Sequence, residues 1–72
     1  MDQNQDQEIF NLSIRKFLKM VGVNSQREIE QAVQKALEAK RIQGTETFAA
    51  QVTLEIPQLG VNVPFDGEIR LK

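Results

Sequence analysis

The chain has 72 residues, with 9 Lys and Arg against 10 Asp and Glu, a formal net charge of −1, and neither cysteine nor histidine. A chain this short forms one domain whose core yields only about 3 to 5 kcal/mol of net stability. Without thiols or imidazoles it has no disulfide, no thiolate zinc site and no serine or cysteine triad of the ordinary kind. Tyrosine is absent too, and the four glycines at 22, 44, 60 and 67 are too scattered to cradle a phosphate. The expectation is a non-enzymatic chain with no cofactor and no metal. Lack of cysteine, and of any run near the ~18 apolar residues of a spanning helix, predicts a cytoplasmic protein with no membrane partner.

Residues 1–7 are acidic and amide-rich, and read as a disordered lead-in to a single α+β domain over 8–72. Phe10, Ile14, Phe17, Leu18 and Val21 recur at helical spacing and predict a helix over 8–21. Gly22 suits the position just past a helix end, where a left-handed backbone favours a residue without a β-carbon. Ser25 followed by Glu28 is a capping-box pattern, so a second helix is expected over 26–42. Ile29, Ala32, Val33, Ala36 and Leu37 form its apolar stripe, and Gly44 follows its end.

From Thr47 to Leu71 apolar and polar residues alternate through Pro57-Gln58-Leu59-Gly60. This predicts strands over 47–56 and 61–71, joined by a four-residue loop. Opposed residues share a face, so Ile56–Val61, Leu54–Val63, Val52–Phe65, Ala50–Gly67 and Phe48–Ile69 should line one side. Asp66-Gly67 could instead turn the chain into a third strand, but that would split Ile69 and Leu71 from Val63 and Phe65. Gly67 is therefore read as a bend or bulge within one strand. Two strands alone are marginal in water. The expected architecture is α-α-β-β, with two N-terminal helices packed on a C-terminal antiparallel hairpin. Phe10, Phe17, Phe48 and Phe65 would share the core, and a helix would lie close over the small Ala50–Gly67 pair.

Three clusters compete for function. An uncovered sheet edge offers unpaired backbone groups, and Pro64 would blunt the outer edge of the last strand. The first strand's outer edge, with Ala49, Gln51, Thr53 and Glu55, is then the site for a second copy or an unknown protein partner. The alternative is a helix-turn-helix-like nucleic-acid module using Arg15, Lys16, Lys19, Gln26 and Arg27. Glu28, Glu30 and the net charge weigh against it, and acids at helix starts with bases at helix ends match the helix dipole without any partner. Asp66 and Glu68, with Glu55 as a third carboxylate, are read as a solvated strand face rather than a calcium or magnesium site.

The stretches Phe10-Asn11-Leu12-Ser13-Ile14-Arg15-Lys16-Phe17-Leu18-Lys19 and Val21-Gly22-Val23-Asn24-Ser25-Gln26-Arg27-Glu28-Ile29-Glu30 are similar to a family of short bacterial proteins known only as a domain of unknown function. Gly44-Thr45-Glu46-Thr47 and Phe65-Asp66-Gly67-Glu68-Ile69 resemble it as well. The resemblance implies a cytoplasmic bacterial protein and carries no activity, cofactor or catalytic residue.

Overall fold

A computed structural model describes residues 3–72, and the chain divides into two units, 1–36 and 37–72. The order of elements is a long helix α1 (Gln3–Glu38), a strand β1 (Thr47–Ile56), one 3-10 turn (Pro57–Leu59) and a strand β2 (Val61–Arg70).

One helix stands where two were expected. Gly22 does not have a positive φ, and Ser25 lies well inside α1, so neither the glycine stop nor the capping box forms. Magnitudes explain the outcome. An interior glycine costs about 1 kcal/mol relative to alanine, whereas a break would free up to four N–H and four C=O groups whose bonds are each worth about 0.5 to 1.5 kcal/mol. The apolar spacing also runs on through Phe10, Ile14, Phe17, Val21, Ile29, Ala32 and Ala36 without a change of face, with Ser25 the polar residue in the row. Helix begins already at Gln3, within the expected lead-in, of which Met1 and Asp2 lie outside the described residues.

The helix also ends earlier than residue 42. Lys40 takes the left-handed conformation, φ 59°, and donates its N–H to the Leu37 carbonyl at 3.0 Å. Gly44, φ 97°, then lies against the last helical turn, with the position of a β-carbon on it 3.7 Å from Leu37 Cδ2.

In the hairpin the expected register is present pair for pair, from Thr47 opposite Arg70 to Ile56 opposite Val61. Gly60 closes the turn at φ 66°, donating its N–H to the Pro57 carbonyl at 3.1 Å. The chain does not turn at Asp66-Gly67, and because the register never slips, Gly67 forms no bulge either. A β-carbon at Gly67 would meet nothing within 4 Å.

No described side chain is buried. Within α1, Phe10 and Phe17 are 63 and 46% exposed, and within the hairpin Phe65 is 58% exposed while Phe48 is half-covered.

Candidate interaction edge

Among the described residues the sheet consists of β1 and β2, so each strand has one outer edge. Which residues turn their backbone outward follows from one hydrogen bond just beyond the strands, Leu71 N–H to the Glu46 carbonyl at 3.0 Å. Glu46 and Leu71 continue the register by one pair, and hydrogen-bonded and non-hydrogen-bonded pairs alternate along an antiparallel ladder. Phe48–Ile69, Ala50–Gly67, Val52–Phe65, Leu54–Val63 and Ile56–Val61 are therefore the bonded pairs. The residues between them point their N–H and C=O away from the hairpin. On β1 these are Thr47, Ala49, Gln51, Thr53 and Glu55, all exposed, and none is proline. On β2 they include Pro64, opposite Thr53, so that edge lacks a donor midway.

The polar face over this edge is organised by one cross-strand bond. Gln51 Nε2 donates to Asp66 Oδ1 at 2.8 Å, across a non-bonded pair where side chains come closest. That bond engages one of the carboxylates considered as a cation ligand. Glu55 stands opposite Asn62, four residues along β2 from Asp66, or about 13 Å at strand rise. No three acidic residues gather into a metal-holding group among the described residues.

The Glu46 carboxylate has a clear structural task that residue patterns alone do not announce. Its two oxygens accept backbone N–H bonds from Gln43 (2.8 Å), Gly44 (2.9 Å) and Thr45 (3.1 Å). The Gln43 bond above all, with those of Gly44 and Thr45, holds the carboxyl below its ordinary value of 4.5 against the opposing effect of desolvation. Three successive amides converging on one anion form a nest. The available sign was an acid directly after Gln43-Gly44-Thr45 in a segment with no regular structure.

The helical cations lie elsewhere, and in one element. At about 100° per residue, Arg15, Lys19 and Gln26 fall on one side of α1, with Lys16 and Arg27 beside them. A helix-turn-helix needs a turn between Lys19 and Gln26, and none exists. Ser13 returns its hydroxyl to its own helix, donating to the Phe10 carbonyl at 2.8 Å. A shallow depression on α1 is lined by Glu8, Asn11, Leu12 and Arg15.

The model of the DUF6494 family, described as a family of unknown function, matches residues 4–72. The chain belongs to the DUF6494 family. Neither curated proteins nor solved structures yield a match. Membership in DUF6494 thus spans α1 and the whole hairpin and assigns a chemistry to neither.

Proposed function

We propose that the chain is a non-enzymatic interaction module that self-associates by adding strand to strand along the outer edge of β1. The observation that carries this reading is the Leu71–Glu46 bond, which sets the parity of the ladder and leaves the β1 edge with an unbroken row of outward N–H and C=O groups. A two-fold antiparallel pairing centred on Gln51 sets Ala49 opposite Thr53 of the second copy. It also sets Glu55 opposite Thr47 rather than another carboxylate, so no like charges face across the new pair. The first test is light scattering on a sizing column over a wide range of concentration, with a dimer expected. Thr53→Pro removes a donor from the outer edge while sparing the hairpin ladder, as Pro64 does opposite, and should give a monomer. Glu68→Pro makes the equivalent change on the β2 edge and should leave the dimer intact. A monomer at every concentration, or a dimer indifferent to Thr53→Pro, refutes this arrangement.

A further inference from the structure

The apolar residues of α1 form two stripes, and the second needs a different explanation from the first. The long stripe runs from Phe10 to Ala36. Roughly 150° around the helix from it, counted at 100° per residue, Ile9, Leu12, Met20 and Val23 form another. These four are 66, 62, 52 and 49% exposed. Whatever covers the long stripe, a surface on the far side of the helix remains, and it is confined to residues 9–23, about 22 Å of helix.

Charge decides what kind of surface that stripe suits. Lys16 and Arg27 lie in line with it and Lys19 and Arg15 along its flank, and the acids on this side, Glu8 and Glu30, stand only at its two ends, with no Asp or Glu from Ile9 to Arg27. The continuity of α1 matters here, because it brings Arg27 three turns beyond Lys16 onto the same side, which two separate helices would not do. We propose that this side of α1 docks on an anionic lipid surface, lying in the plane of the headgroups with Ile9, Leu12, Met20 and Val23 inserted and the four cations reaching phosphate.

The other occupants fit less well. A second copy would bring the same four cations against themselves. Nucleic acid would neutralise the charge but leave Leu12, Met20 and Val23 in water. An acidic protein surface would have to bury cations interleaved with the apolar contacts, where charged residues are depleted from interface cores. At the boundary of headgroup and acyl chain this interleaving is favourable, since Lys and Arg stems lie along apolar surface while their heads reach the phosphates. No described helix is long and apolar enough to cross a membrane, so the mode is surface binding.

The test is co-sedimentation of the full chain with phosphatidylcholine vesicles and with vesicles rich in phosphatidylglycerol, at low and high salt. Binding to the anionic vesicles alone, weakened by salt, is expected. Lys16→Glu with Lys19→Glu should weaken it about tenfold or more, since each basic residue near such a surface contributes strongly. Leu12→Gln with Val23→Gln should weaken it comparably, provided circular dichroism shows helix content retained. As a readout independent of those variants, Val23→Trp should show a blue-shifted emission on anionic vesicles and not on neutral ones. No binding to anionic vesicles at low salt overturns the proposal, as does an unshifted Val23→Trp emission. Binding that survives Leu12→Gln with Val23→Gln unchanged, or tighter capture by duplex DNA or polyglutamate than by vesicles, would mark a simple polyanion site and overturn it too.

Discussion

Single residues set the joints of this chain, and two of them make predictions of opposite kinds. Glu46 holds three amides of the loop before β1, and its carboxyl is drawn below 4.5 chiefly by the Gln43 N–H. A carboxyl depressed by folding contributes stability above its unfolded value and loses it as pH falls through the lower folded value. Carboxyl carbon shifts followed by NMR should give a Glu46 midpoint below 4.5, with the amides of Gln43, Gly44 and Thr45 titrating alongside it. A midpoint at or above 4.5 would mean that the clamp is absent in solution. Glu46→Gln should remove that inflection from the pH dependence of hairpin stability. Lys40 is the converse case, a side chain in a conformation that favours glycine. Lys40→Val places a β-branched residue at φ 59° and should destabilise the chain by about 1 kcal/mol or more, read by urea denaturation.

Among the elements, α1 and the hairpin each contain a glycine that separates two readings of the fold. Inside a helix, Gly22→Ala should stabilise by about 0.5 to 1 kcal/mol, because nothing lies within 4 Å of the new β-carbon. At a left-handed helix end the same change would destabilise, so the sign of the shift in thermal midpoint tests the continuity of α1. In β2, Gly67→Val meets open space and gains strand propensity, with a stabilisation of up to about 1 kcal/mol expected. A destabilisation of about 1 to 3 kcal/mol would instead report overpacking against a neighbour at that pair. Both glycines show how far residue patterns reach. Alternation from Phe48 to Ile69 named every cross-strand pair, since a slip of one residue would turn each apolar side chain to the opposite face. Gly22 and the Ser25–Glu28 pattern do not decide between one helix and two, because each is compatible with a helix interior as well as with a helix end. Their local preference of about 1 kcal/mol is smaller than the summed hydrogen bonds of an unbroken helix.

For the molecule as a whole, the governing fact is that no described side chain is buried, while large apolar residues are exposed on both α1 and the sheet. On the proposed reading, strand addition at the β1 edge contributes to stability by mass action. If the β1 edge joins two copies, the thermal midpoint should rise with protein concentration. Calorimetry across a hundredfold range would detect it, and Thr53→Pro should flatten the dependence. A midpoint independent of concentration in the natural chain would contradict the reading.

The hairpin was within reach of the amino-acid sequence alone, because strand pairing depends on a period of two and on a turn whose chemistry Pro57 and Gly60 specify locally. The Glu46 clamp was not, since three amides converge on a carboxylate only through the conformation of residues 43–45. Nor was the choice between one helix and two, which is cooperative and rests on bonds summed over many turns rather than on any single residue. The free edge was named from Pro64 under an assumed pairing parity. Only the folded ladder decided that parity, because one hydrogen bond between Leu71 and Glu46 determines the direction of every backbone group along β1.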